Sequence, residues 1–147
     1  MVKVASSQFT SKDAFVQIEI YGIAEVQRRL QALGHVVWAG VDSATLEAAN
    51  MVQSEVQSSI IGIRDEPKSV DTGRFGNGIV VDKLDKAVYT IKPEGTYPNG
   101  QTVANVATIL ENHPKFNRKH FRNSLNRKET EVKEKIAQAV RNAAKKF

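Results

Sequence analysis

His35, His113 and His120 are the only imidazoles in this chain, and it contains no cysteine. Disulfides, thiolate nucleophiles and thiolate metal sites are therefore excluded. Glu111, His113 and His120 have the residue types of a metal or acid–base set. However, the two histidines are seven positions apart across Pro114, share no simple helical face, and lack a second pair of ligands. Surface histidines in loops are the plainer expectation, and His35 stands alone beside Gly34. Gly73, Gly76 and Gly78 suggest a phosphate-binding loop, but they precede a strand pattern and lack the Gly-Lys-Ser/Thr ending. A glycine-rich mobile turn suits them better. The expectation is a chain that is not an enzyme, with no catalytic residue, metal or cofactor.

The charge is divided unevenly. Residues 113–147 hold eleven Lys or Arg against three acids, a net +8, while residues 1–112 hold ten against thirteen, a net −3. A slightly acidic body and one basic end follow. Within that end, Lys115-Phe116-Asn117-Arg118-Lys119-His120-Phe121-Arg122 interleaves cations with aromatics, a pattern suited to phosphate neutralisation and base stacking. A nucleic-acid-binding module using Lys115–Lys128 is accordingly one functional reading. The other is that both phenylalanines anchor a loop into the core while the cations face water. Single-strand binders place their aromatics on a sheet face, which favours the core reading.

The elements that would position these residues follow from periodicity. With 147 residues, 41% apolar and 25% charged, the chain suits one soluble domain. No apolar run nears the roughly 20 residues that cross a membrane, and residues 1–7 lack the apolar core of a secretory signal, which favours synthesis in the cytosol. Residues 1–13 read as a flexible arm, and residues 14–147 as the single domain. Phe15 to Tyr21 alternates as a strand. Ile23, Val26, Leu30 and Leu33 form a short helix stopped at Gly34. A long helix is expected from Asp42 or Ser43, either of which can cap it, with Leu46, Ala49, Val56 and Ile60 on its apolar face and Gly62 and Pro67 at its end.

Residues 62–78 read as a mobile loop, and Ile79–Lys83 with Ala87–Lys92 as a hairpin. Val103, Val106, Ala107 and Leu110 mark a further helix ending at Asn112-His113-Pro114. The last helix, basic, is expected from about Arg127, with Val132, Ile136 and Val140 inward. Helices packed around a small antiparallel sheet make the fold class α+β.

Five segments, in order, carry a resemblance. They are Ile20-Tyr21-Gly22-Ile23-Ala24-Glu25-Val26, the Ala-rich stretch from Asp42 to Ile61, Ser69-Val70-Asp71-Thr72-Gly73-Arg74-Phe75, Val106-Ala107-Thr108-Ile109-Leu110-Glu111-Asn112 and His120-Phe121-Arg122-Asn123-Ser124. Together they resemble the tail-completion (neck, or head–tail joining) proteins of long-tailed bacteriophages and prophages. The third segment keeps the family's Thr-Gly at Thr72-Gly73, with Ser69 in place of its proline and Phe75 in place of its leucine. The fourth keeps Ala107 and Glu111 but lacks the family's tyrosine and glycine.

The resemblance implies a non-enzymatic virion structural protein, assembled in the host cytoplasm and placed at the neck. It implies a closed homo-oligomeric ring, commonly a hexamer. The neighbours would be connector or head-completion proteins on one side and tail-terminator or tail-tube proteins on the other, with DNA passing through or near the ring and no membrane involved. Candidate interface residues on this reading are Asp71, Thr72, Gly73, Arg74, Phe75, Glu111, Phe116, Phe121, Lys133, Arg141 and Lys145. A small regulatory domain is a third, weaker reading.

Overall fold

The computed structural model describes residues 3–9, 14–21, 35–69, 73–85, 88–113 and 119–145. Strands β1 (Lys3–Phe9), β2 (Ala14–Tyr21), β3 (Ile79–Asp85) and β4 (Val88–Pro93) form an antiparallel sheet in the order β1-β2-β4-β3. Among the described residues, helices α1 (His35–Ile60), α2 (Arg74–Asn77), α3 (Val103–Glu111) and α4 (His120–Lys145) complete the fold. α1 packs on β3 and β4, α4 reaches β1 and β2, and the two long helices make the most extensive helix contact with each other. The result is an α+β arrangement, with the helices packed against a wholly antiparallel sheet.

β2 matches the alternating run from Phe15 to Tyr21, and its register sets Val16 opposite Ile91 and Ile18 opposite Tyr89. The expected arm is different. Residues 3–9 form β1 and pair along β2 from Phe9↔Ala14 to Lys3↔Tyr21. Its sequence KVASSQF gives only a weak apolar alternation, which is why periodicity passes over it, and its backbone pairs along the edge of β2. The hairpin appears as read, with a register shift between Lys83 and Asp85.

α1 begins at His35, so Asp42 and Ser43 lie inside it instead of capping it. The Asp42 carboxylate has another use: Oδ2 accepts from Lys83 Nζ at 3.0 Å and Tyr89 Oη at 2.9 Å, fastening α1 to the hairpin. The helix expected over Ile23–Leu33 lies outside the described residues. Val41, Ala48, Ala49, Val52, Val56 and Ile60 are all buried and follow a helical stripe down α1. Against them pack Ile79, Tyr89 and Ile91 from the sheet and Phe121, Val132 and Ile136 from α4.

Gly62 ends α1 with φ +86°. Ile63 N–H donates to Ser58 O at 3.1 Å and Gly62 N–H to Ser59 O at 3.2 Å, the paired bonds of a Schellman stop. α3 starts at Thr102, whose hydroxyl accepts from Asn105 N–H, and ends near Asn112 as its periodicity indicates. α4 starts at His120, seven residues before the expected Arg127. The dense cations hid its first turns, where buried Phe121 and Ser124 already follow the period that continues to Val132 and Ile136.

Candidate functional site

Polar side chains meet where the end of α1, the segment after it and the first turns of α4 come together. Buried Glu55 accepts from Arg64 Nε at 2.6 Å and from Arg127 Nε at 2.8 Å. Arg127 also forks onto Glu66, giving 3.0 Å to Oε2 and 2.7 Å to Oε1. One guanidinium from α4 thus joins a carboxylate of α1 to a carboxylate of the following segment. This is the planar two-point geometry that arginine favours.

From Glu66 the chain of contacts continues inward. Ser59 Oγ lies 2.5 Å from Glu66 Oε1 and 2.7 Å from His120 Nδ1, while Ser69 Oγ lies 2.8 Å from His120 Nε2. The donor directions follow from Glu66, which as a carboxylate only accepts. Ser59 donates to Glu66, so its oxygen accepts Nδ1–H of His120, while Nε2 meets the Ser69 hydroxyl, which also donates to Pro67 O at 3.5 Å. His120 is fully buried, with its ring edge-on to Phe75 at a centroid distance of 5.9 Å. His120 is therefore a core residue, in contrast to the surface loop histidine expected from its basic surroundings.

Electrostatics fit this arrangement. The hydrogen bond from Arg64, assisted by Arg127, holds the Glu55 carboxyl down at about 2 despite the opposing push of burial. Burial pushes Glu66 upward, but Arg127 and Ser59 outweigh it and leave it below the ordinary carboxylate value. Glu111 differs. Burial raises its carboxyl to about 7 against the opposing pull of the Phe121 amide.

A serine on an imidazole backed by a carboxylate has the order of a nucleophilic triad. The remaining geometry departs from one. Ser59 stands between imidazole and carboxylate, Glu66 is already neutralised by Arg127, and the Ser69 N–H is committed to Ile60 O at 2.8 Å instead of facing a developing oxyanion. A groove of about 570 Å³ between α1 and α4 borders the network at Glu55 and Arg64 and is also lined by Ser54, Ser58, Lys128 and Lys135. Each of those cations faces a carboxylate of its own chain: Glu55, Glu131 and Glu47 respectively. What the network does is lock three chain segments together.

Within the segment 62–78, expected to be mobile, the described residues 62–69 and 73–78 make several anchoring contacts. Glu66 is 2% exposed, Phe75 is 4% exposed, and Gln57 Nε2 donates to Gly76 O at 3.1 Å. Its anchors are a buried acid and a single aromatic, which an apolar-periodicity reading passes over.

The sequence-derived interface residues separate accordingly. Phe75, Glu111 and Phe121 are buried, which removes them from any docking surface and removes Phe121 as a base-stacking platform. Gly73 adopts φ +84° and its carbonyl accepts the amide of Asn77, the last residue of α2, so glycine is needed there for the turn that leads into the helix. Arg74 opens α2, and Lys145 ends α4. Lys133 is exposed but sits on Glu129 at 2.9 Å, and exposed Arg141 donates to Gln138. Asp71, Thr72 and Phe116 lie outside the described residues. Two cations of the basic end, Arg127 and Lys135, pair with carboxylates of the acidic body. Glu55, Ser59, Glu66 and Arg127 were missed as a set. Their only sequence signal is the occurrence of charges beside an apolar helical stripe.

Among the described residues no helix is long and apolar enough to cross a membrane, and no group of three or more His, Asp or Glu is placed to hold a metal ion. Comparison with known proteins gives no matching family model, no matching curated protein and no matching solved structure.

Proposed function

We propose that this chain is a bacteriophage virion structural protein that assembles as a ring at the neck, where the head connector meets the tail. One observation carries the reading. Three of the five segments that resemble tail-completion proteins meet at the first turn of α4. Ser69 and Phe75 contact His120, the Glu111 carboxylate accepts the Phe121 amide, and Arg122 donates to Glu111 O and Asn112 Oδ1.

A closed ring needs two unlike patches on each subunit, since each copy meets the next head to tail. Exposed aliphatic residues supply candidates at opposite ends of α1. Ile61 and Ile63 are 48% and 62% exposed just beyond its C-terminal end, while Leu84, 59% exposed, sits beside Lys83, which contacts Asp42 near the other end. Nineteen helical steps separate Asp42 from Ile61, roughly 30 Å at 1.5 Å per residue. Light scattering across a concentration series tests the proposal. Growth to one discrete multiple of the monomer mass supports it. A monomer at every concentration, with DNA binding that weakens steeply with salt, would instead favour the nucleic-acid reading.

A further inference from the structure

We propose that Asn99 is a spontaneous modification site, converted by water to aspartate and isoaspartate in the folded chain ahead of Asn77. The inference is independent of ring assembly. Asn-Gly occurs twice in the sequence, at Asn77-Gly78 and at Asn99-Gly100. The dipeptide matters because glycine puts no side chain beside its own amide nitrogen, which can then attack the preceding side-chain amide. Pro98, Asn99 and Gly100 are all exposed in the loop between β4 and α3. Gly100 has φ +88°, and a Cβ built there would meet nothing within 4 Å beyond its chain neighbours, so the space around it is open.

The local geometry also activates the group under attack. Asn99 Oδ1 accepts the Gln101 N–H at 3.0 Å, which folds the side chain forward along Gly100 and polarises its Cγ carbonyl. The reaction balances with water alone. Hydroxide removes the Gly100 amide proton, the nitrogen bonds to Asn99 Cγ, and negative charge gathers on Oδ1, where the Gln101 N–H already stands as donor. The bond from Cγ to Nδ2 then breaks, and Nδ2 leaves as ammonia with a proton taken from water. A second water opens the resulting succinimide at either carbonyl. One opening gives aspartate, and the other gives isoaspartate, with the main chain rerouted through Cγ. A single described bond opposes the attack: Gly100 N–H donates to Tyr97 O at 2.9 Å and must be released first. At an exposed turn that release is a local opening.

Asn77-Gly78 is pinned far more firmly. Asn77 N–H donates to Gly73 O at 2.9 Å and Gly78 N–H to Phe75 O at 3.2 Å, while Gly78 O accepts the Glu94 amide at 2.7 Å. On either side, Gln57 of α1 holds Gly76 O at 3.1 Å and Gln53 holds Ile79 O at 2.8 Å. Freeing the Gly78 nitrogen therefore disturbs contacts with α1 and with the end of β4. The consequence of change at Asn99 falls on α3. Its loop is closed by Tyr97 N–H on Gln101 O at 2.8 Å, by the bridge Thr96↔Thr102 and by Val103 N–H on Gly95 O at 3.0 Å, and Thr102 caps the helix. Isoaspartate inserts one more carbon into the main chain within that closure, which shifts Gln101 and Thr102 against Tyr97 and Thr96. Aspartate leaves the main chain intact and adds only a charge.

The test ages the purified full chain at pH 7 and pH 9, in buffer and in concentrated urea. Peptide mass spectrometry follows each asparagine, and methylation by an isoaspartyl carboxyl methyltransferase counts the isoaspartate formed. In buffer, Asn99 should gain one dalton, yield both acidic products, convert faster at pH 9, and run ahead of Asn77 by about tenfold or more. In urea the fold no longer separates the two dipeptides, and their rates should draw level. Asn99→Gln, which would need a larger and slower-forming ring, should lose most of the methyl incorporation. Conversion of Asn77 as fast as Asn99 in the folded chain, or an Asn99 that stays an amide at pH 9, would overturn the proposal.

Discussion

Replacing Arg127 by methionine removes the one guanidinium that contacts both Glu55 and Glu66. Glu55 keeps Arg64, but Glu66, with 1% of its side chain exposed, is left with the neutral partners Ser59 and Asn123. Breaking a buried ion pair from one side costs about 3–5 kcal/mol. Arg127 is 29% exposed, so solvent screening reduces that to about 2–4 kcal/mol. For a domain of this size the melting temperature should fall by about 5–15 °C.

The pH dependence should weaken as well. In the wild-type chain Glu66 is lowered, so its contribution is present above the unfolded value and lost as pH falls through the folded one. In Arg127→Met the push of burial is opposed only by the hydrogen bonds from Ser59 and Asn123, and the stability that Glu66 adds above its unfolded value should shrink. Adding Glu66→Gln should recover about 1–3 kcal/mol by removing the stranded charge. Urea unfolding of the parent, both single variants and the double variant at pH 5 and pH 7.5 measures all of this. A loss below about 0.5 kcal/mol in Arg127→Met, with additive single effects, would refute the locking role of the network.

Other outcomes follow from the same contacts. Val56→Asp places a charge at a fully buried position on α1 and should cost about 4 kcal/mol or more, read by thermal melting. Gly62→Ala forces a side chain into φ +86° with Lys68 Cβ at 3.0 Å, and should cost about 1–2 kcal/mol in chemical denaturation. The Glu55 carboxyl contributes stability that is present above pH 4.5 and lost as pH falls through 2, worth about 3 kcal/mol. Glu55→Gln should therefore flatten the acid limb of the unfolding profile. Finally, Ile63→Asp and Leu84→Asp should each block ring closure yet pair with one another when mixed, because each retains the patch the other lacks. Analytical ultracentrifugation of the mixture should show a heterodimer, and two unmixed monomers would exclude these patches.

Periodicity made β2, the hairpin and α3 legible, because each rests on apolar spacing and turn residues that act locally. It placed Val56 and Ile60 correctly for the same reason. The boundaries of α1 and α4 were less legible. Asp42 looks like a cap but bonds to Tyr89 across the fold, and Phe121 is surrounded by cations that conceal a helical stripe. β1 depends on a neighbouring strand edge for its hydrogen bonds, so its own residues announce it weakly. The polar network was the hardest to foresee, since Ser59 and His120 are sixty-one positions apart and have no pattern in common. What connects them is the packing of α4 on α1, and that is decided by buried aliphatic residues elsewhere on both helices.

The most direct measurement of the neck assignment is electron microscopy of virions assembled from a genome encoding this chain, using gold-labelled antibody against it. The account predicts label at the head–tail junction and, in a genome lacking the chain, filled heads and separate tails that fail to join. Label absent from the particles, with normal joining in its absence, would contradict it.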